Sequence, residues 1–146
     1  MKNIYFLLLV LISTSCSVKS IYSNDILEVN NPSFQKYLDT VNAEEDNKAI
    51  VIFTTWYEND TIRLINGEKV LLNEVFTTTA QLGLTTTAVI DKNYKVVIEI
   101  VSPKKIKRIN LNKEKIGNYK FIYIKREIKN RNKYTIEYGN TKKSFY

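Results

Sequence analysis

The residues that could carry out chemistry in this chain are few, because it contains no histidine and only one cysteine, Cys16. Catalytic groups of the Ser-His or Cys-His type therefore cannot form, and the usual His and Cys ligands of zinc are missing. The four glycines do not form the glycine-rich loop that cradles phosphates. The sequence thus predicts a protein that is not an enzyme and holds neither a metal nor a cofactor.

Carboxylates are the remaining candidates for chemistry. Glu58 and Asp60 lie two residues apart after Trp56 and Tyr57, and an aromatic platform beside two acids is typical of some sites that act on glycans. The spacing does not show that the two carboxyl groups face each other, so we interpret the segment as a turn. A second acidic group, residues 44–46, is interpreted as a solvated loop rather than a cation site, because no other carboxylates cluster nearby.

Basic charge is concentrated in the C-terminal third of the chain. Residues 104–146 carry fourteen lysines and arginines against three glutamates, a net charge of +11, whereas residues 17–103 carry a net charge of −5. A basic surface attracts anionic lipid headgroups, lipopolysaccharide or acidic wall polymers. The residues expected to bind an anionic polymer are Lys104, Lys105, Lys107, Arg108, Lys125, Arg126, Lys129, Arg131 and Lys133. The alternative is that they form only the soluble face of strands whose aromatic residues fill the core.

Two further patterns in the sequence have a functional and a structural interpretation. Tyrosines at 119, 123, 134 and 138 alternate with the basic residues, as in sheets that stack single-stranded bases, but the export signal described below argues against nucleic acid as a partner. Three threonines at residues 77–79 are echoed at residues 85–87. A row of threonines can bind glycan, yet threonine is also a good strand former, which is the interpretation we prefer.

The elements that would position these residues begin with a helix. Asn31 offers a capping oxygen, and Pro32 suits the first helical position because its missing N–H would have no partner there. Phe34, Leu38 and their neighbours follow at helical spacing. The sequence therefore predicts one short helix near residues 32–42.

From residue 49 onward, short runs of β-branched and aromatic residues alternate with turn residues, which predicts strands. Strands are expected over residues 49–57, 61–65, 68–76, 85–90, 94–101, 105–111, 119–124 and 134–138. Asn66-Gly67 predicts a hairpin with a type I′ turn, and residues 91–93 predict a second hairpin. Seven or eight antiparallel strands favour a mainly β fold, a single antiparallel β-sandwich such as the immunoglobulin-like arrangement, with a small β-barrel as the alternative.

The first sixteen residues have the pattern of an export signal. Lys2 precedes an apolar run of about nine residues, too short to span a bilayer, which is followed by Ser13-Thr14-Ser15 and Cys16. This segment resembles a bacterial lipoprotein signal peptide. The resemblance implies that Cys16 becomes the lipid-bearing first residue of the mature protein. Ser13 and Ser15 also fit an ordinary secretory cleavage site, which would release a soluble protein instead.

These expectations divide the chain into a signal peptide at residues 1–15, a lipidated Cys16 with a structureless tether to residue 24, and a single domain at residues 25–146. The expected function is that of a non-catalytic binding or structural module, held at the inner or outer bacterial membrane by its lipid and facing the periplasm. The alternative is an exported inhibitor, immunity or exclusion factor that binds one protein target through apolar anchors such as Trp56 or Phe76.

Overall fold

The structure is a computed structural model that describes residues 18–28, 30–78, 86–103, 105–130 and 132–143. Nine strands and two short helices lie within these residues. In chain order they are β1 (Val18–Tyr22), α1 (Pro32–Thr40), β2 (Lys48–Phe53), β3 (Asp60–Asn66), β4 (Lys69–Phe76), β5 (Thr86–Asp91), β6 (Val96–Ser102), β7 (Lys105–Leu111), α2 (Lys113–Ile116), β8 (Phe121–Arg126) and β9 (Tyr134–Gly139).

The strands form two sheets, which confirms the predicted β-sandwich. The five-stranded sheet has the order β1-β9-β8-β2-β5, and the four-stranded sheet has the order β4-β3-β6-β7. Both sheets have two edge strands among the described residues, so they do not close into a barrel. Most neighbours are antiparallel, but β1 pairs with β9 and β2 pairs with β8 in parallel. The sequence reasoning expected only antiparallel pairs.

Two apolar layers explain why β2 and β8, neighbouring strands inside the five-stranded sheet, are buried on both faces. Ile122 and Ile124 of β8 face the four-stranded sheet and join the core between the sheets. Phe121 and Tyr123, on the opposite face of β8, contact α1 in a second apolar cluster. A strand covered on both faces is expected to be apolar throughout rather than alternating, and the first four residues of β8 are indeed all buried.

Helix α1 confirms the predicted helix and its start. The Asn31 side-chain oxygen accepts hydrogen bonds from the backbone N–H groups of Ser33 and Phe34, and Pro32 occupies the first turn. Phe34 and Leu38 are buried against the outer face of the five-stranded sheet. Among the described residues, no helix is long and apolar enough to cross a membrane.

The β3–β4 hairpin is present, but its turn lies one residue later than predicted. Asn66 pairs with Lys69, so Gly67 and Glu68 form the turn, and of these two only Gly67 has a positive φ, of 63°. A type I′ turn needs a positive φ at both central residues, so the type I′ prediction was wrong. The side chain of Asn66 is instead buried and bonds the backbone N–H and C=O of Asp91 at 2.7 and 3.0 Å.

The second predicted hairpin, around residues 91–93, was also wrong. Strand β5 pairs with β2 in the five-stranded sheet, whereas β6 pairs with β3 and β7 in the four-stranded sheet. The connection between β5 and β6 therefore crosses from one sheet to the other. The turn residues are the same in either case, because they specify a reversal of the chain and not the sheet that the next strand joins.

The segment expected to be a structureless tether contains β1. Residues Val18–Tyr22 pair in parallel with Tyr134–Tyr138, and the Ser23 N–H continues the pairing to the Tyr138 carbonyl at 2.8 Å. Tyr22 also stacks on Tyr138, with ring centroids 5.0 Å apart. The ordered domain therefore begins no later than Val18.

Burial of phenol groups predicts a loss of stability at high pH. Burial is the main cause that raises the pKa of Tyr123 and of Tyr138 to about 12, and burial with the nearby Tyr134 and Asp60 raises the pKa of Tyr57 well above its usual value. In the unfolded chain these phenols lose their protons near pH 10. Their contribution to stability is therefore complete below about pH 10 and is lost as the pH rises towards about 12.

We expect phenolate absorbance to show a cooperative step above pH 10 that coincides with loss of near-ultraviolet circular dichroism. Ionisation of all ten tyrosines in one gradual step, with the dichroism retained, would contradict this expectation.

Candidate functional site

Two adjacent cavities at one end of the sandwich gather basic side chains from distant parts of the chain. One cavity has a volume of about 310 Å³ and the other about 510 Å³, and Tyr134 lines both. Six basic side chains line them against three carboxylates: Lys19, Lys105, Lys107, Arg126, Lys129 and Lys133 against Glu58, Asp60 and Glu127. We call this region the basic end.

The topology explains why these residues meet. The basic end is where β2, β6 and β8 finish and where β1, β3, β7 and β9 start. Lys105 and Lys107 lie on the same face of β7 as Ile109 and Leu111, which enter the core further along the strand. Lys129 and Lys133 come from the β8–β9 connection, and Lys19 comes from β1, next to β9.

A buried ion pair closes the core at the base of the smaller cavity. Asp60, the first residue of β3, has no exposed surface, and Arg126, the last residue of β8, is 8% exposed. The Arg126 Nη1 lies 2.5 Å from the Asp60 Oδ2. The Glu58 N–H donates to the same oxygen at 2.9 Å, and the Ser102 hydroxyl donates to the other oxygen of Asp60. Because β3 and β8 belong to different sheets, this pair joins the two sheets.

The loop between β2 and β3 reaches the basic end in a strained conformation. Trp56 has a φ of 76° and Asn59 a φ of 51°. Asparagine tolerates this left-handed region, but for a bulky side chain such as Trp56 the conformation costs about 1–3 kcal/mol and persists only where the surroundings enforce it. Thr77 and Thr78 supply that support. The Thr77 hydroxyl accepts from the Asn59 N–H at 3.1 Å, and Thr78 bonds Tyr57 through both its backbone N–H and its hydroxyl.

The structure separates the residues predicted to bind an anionic polymer. Lys105, Lys107, Lys129 and Lys133 line the basic end, and Lys125 is exposed in β8 beside them. Arg108 lies on the outer face of the four-stranded sheet, where the Glu99 carboxylate lies 3.7 Å from it and 3.4 Å from Arg63. Lys104 and Arg131 fall outside the described residues.

Arg126 requires a correction, because its predicted role as a surface contact for polymer conflicts with its burial and its ion pair with Asp60. Strand alternation places it on the inward face of β8, together with Ile122 and Ile124. Its partner lies 66 positions earlier in the chain. The hydrophobic neighbours of Arg126 were a signal for burial, but the sequence offered no local signal for the partner.

The structure also shows the surroundings of the tyrosines, threonines and carboxylates that had other functional interpretations. Three of the four tyrosines in the alternating pattern, Tyr123, Tyr134 and Tyr138, are core residues and therefore do not offer faces for stacking bases. The hydroxyls of Thr77 and Thr78 support the β2–β3 loop, whereas residues 79–85 of the threonine echo lie outside the described residues. The Asp60 carboxylate is engaged with Arg126 and Ser102.

The acidic residues 44–46 lie at the opposite end of the sandwich, near two lysines. The Lys120 ammonium donates to the Glu45 carbonyl at 2.7 Å. Burial and the charge of Lys92 lower the pKa of Lys120, and the carboxylates of residues 44–46 oppose that change. No group of three or more Asp, Glu, Cys or His side chains that could hold a metal ion occurs within the described part of the chain. At this end acidic and basic groups are intermixed.

Sequence comparison gives no family for this protein: the chain matches no protein-family model, and no curated protein sequence matches it. The functional interpretation therefore depends on the residues of the chain itself.

Proposed function

We propose that this protein is an exported, lipid-anchored module without catalytic activity, which binds an anionic surface of the bacterial envelope through the basic end. Cys16 is the proposed lipidation site, as the resemblance of residues 1–16 to a lipoprotein signal implies. The anchoring membrane is the inner or outer bacterial membrane, with the domain facing the periplasm.

The observation that carries the proposal is the position of Val18. Strand β1 starts at the basic end, because Val18 pairs with Tyr134, and Cys16 precedes Val18 by two residues. Two residues span at most about 7 Å. A lipid on Cys16 would therefore hold the basic end, rather than any other part of the domain, next to the membrane. A structureless tether up to residue 24, as the sequence predicted, would not have fixed the orientation of the domain relative to the membrane.

The charge of the basic end supports the same function. Lys19, Lys105, Lys129 and Lys133 are exposed, and clustered lysines near a membrane are typical of proteins that bind anionic headgroups or polymers. Such binding is largely electrostatic, so it should weaken as salt shortens the range of charge interactions from about 10 Å at 0.1 M to about 3 Å at 1 M.

Two measurements test the proposal. The intact mass of the N-terminal peptide from the membrane fraction should show acyl chains on Cys16, and a Cys16→Ala variant should no longer yield the acylated peptide. The purified protein should be retained by anionic envelope polymer or by vesicles containing phosphatidylglycerol at 0.1 M salt and released at about 1 M salt. An unmodified Cys16 would overturn the anchor, and retention that is independent of salt would overturn the electrostatic binding.

A second candidate function is the capture of one protein target, and the outer face of the four-stranded sheet favours it. Val75, Val101 and Ile106 form an exposed apolar row across this face, in register with Thr61. Exposed apolar patches rimmed by charge are typical of protein-binding sites. Of the two anchors suggested by the sequence, Phe76 packs against the core and Trp56 is partly exposed. A salt-resistant complex of one-to-one stoichiometry would favour this function over binding of an anionic surface.

A further inference from the structure

Two loops at the basic end each expose an apolar side chain. Strands β2 and β8 are parallel neighbours, so the loops that follow them leave the sheet at the same edge. The loop after β2 carries Trp56, which is 38% exposed, and the loop after β8 carries Ile128, which is 58% exposed. Lys125 and Lys129 flank Ile128 in sequence. Apolar residues at loop tips among lysines form a surface that is both apolar and cationic.

We infer that this surface docks the domain onto the anionic bilayer that carries its anchor, with Trp56 and Ile128 entering the headgroup region. The inference rests on the proposed function and names its partner: the anionic surface is that of the bilayer and not that of a wall polymer. Tryptophan favours the interface between membrane and water because its ring is amphipathic, and lysines beside it bind the phosphates of anionic lipids.

The strain at Trp56 supports this assignment. A tryptophan held at a φ of 76° is maintained at an energetic cost, here by the contacts of Thr77 and Thr78 with the loop. Strained residues cluster at binding sites, where the cost is part of the function.

The anchor and the charge distribution give the docking a direction. A basic patch beside a lipid anchor is a common second membrane signal. The basic end lies beside Val18, two residues after Cys16, whereas the opposite end carries the carboxylates of residues 44–46, which an anionic bilayer would repel. The domain should therefore be oriented with the basic end against the membrane and the opposite end away from it.

The test uses the fact that Trp56 is the only tryptophan in the chain, so intrinsic fluorescence reports on this position alone. Protein purified from the membrane fraction is reconstituted in vesicles of phosphatidylcholine, with or without phosphatidylglycerol. We expect the emission of Trp56 to shift to shorter wavelength, and to be quenched by brominated acyl chains, only in the vesicles that contain phosphatidylglycerol.

Charge variants supply the matched control. Lys129→Glu with Lys133→Glu should reduce quenching in the phosphatidylglycerol vesicles to the level seen in pure phosphatidylcholine. Lys69→Glu with Lys95→Glu makes the same change of charge at exposed positions of the opposite end and should leave quenching unchanged. All four positions are on the surface, so neither pair of substitutions removes a core contact.

The possible results separate this inference from the proposed function. Equal emission in both kinds of vesicle, or equal effects of the two variant pairs, would overturn docking on the bilayer. A shift of Trp56 emission produced by soluble anionic wall polymer but not by vesicles would also overturn it, while leaving electrostatic binding in place. Quenching in a protein whose mass shows no acyl chain would support docking and refute the anchor.

Discussion

Replacing Asp60 by alanine should lower the free energy of unfolding by about 3–5 kcal/mol, the usual cost of leaving one member of a buried ion pair without its partner. The guanidinium of Arg126 would remain in a site that is 8% exposed without the carboxylate that lies 2.5 Å from it. The Ser102 hydroxyl and the Glu58 N–H would lose the same acceptor. Urea unfolding followed by circular dichroism measures the effect.

Glu99 offers a matched control for Asp60. Its carboxylate also lies between side chains on neighbouring strands, Arg63 and Arg108, but both arginines are exposed, and surface ion pairs contribute about 0–1 kcal/mol. Glu99→Ala should therefore cost less than about 1 kcal/mol. A double variant, Asp60→Ala with Arg126→Met, should recover part of the loss because it removes the buried charge itself. Equal effects of Asp60→Ala and Glu99→Ala would refute the structural role of the buried pair.

Reversing four charges at the basic end should weaken binding to an anionic surface by at least about a thousandfold. The variant carries glutamate in place of Lys19, Lys105, Lys129 and Lys133, all of them exposed. Each lysine near an anionic bilayer contributes about 1 kcal/mol, so the loss of four attractions amounts to about 4 kcal/mol, which corresponds to about a thousandfold in affinity. Sedimentation with phosphatidylglycerol vesicles at about 0.1 M salt measures this change.

The control variant has the same net charge as the first variant, but its four substitutions lie at the opposite end of the domain. Glutamate replaces Lys69, Lys95, Lys113 and Lys115, which are exposed at the opposite end. If net charge alone determined binding, both variants would lose affinity equally. If the basic end is the binding surface, the control should bind nearly as well as the unmodified protein. Urea midpoints close to that of the unmodified protein would show that both variants are folded.

The sequence predicted the elements whose formation depends on neighbouring residues. The helix α1 starts where Asn31 caps and Pro32 fits, and β8 and β9 follow the strand patterns seen in the sequence. Capping and strand periodicity depend on residues a few positions apart, so they do not depend on how the rest of the chain folds. All eight predicted strands are present. Their number and spacing allowed a sandwich or a small barrel, and the pairing into two sheets decides for the sandwich.

The errors concern contacts between residues far apart in the chain. Strand β1 is composed mostly of exposed residues and has little pattern of its own, because it is stabilised by pairing with β9, more than a hundred residues later. The connection after β5 has the turn residues of a hairpin, but β6 enters the other sheet. The sequence predicted Arg126 to be a surface cation, whereas in the structure it forms an ion pair with Asp60.

The sequence by itself determined that catalytic groups of the Ser-His or Cys-His type cannot form, that the body is mainly β, and that positive charge accumulates towards the C-terminus. Only the tertiary structure decided which of those charges meet. It buried Arg126, placed Arg108 on the outer face of the four-stranded sheet, and brought Lys19 close to Lys129 and Lys133, beside the start of β1. The physical reason is that composition and periodicity act locally, whereas the pairing of strands, which assembles a surface, depends on the whole chain.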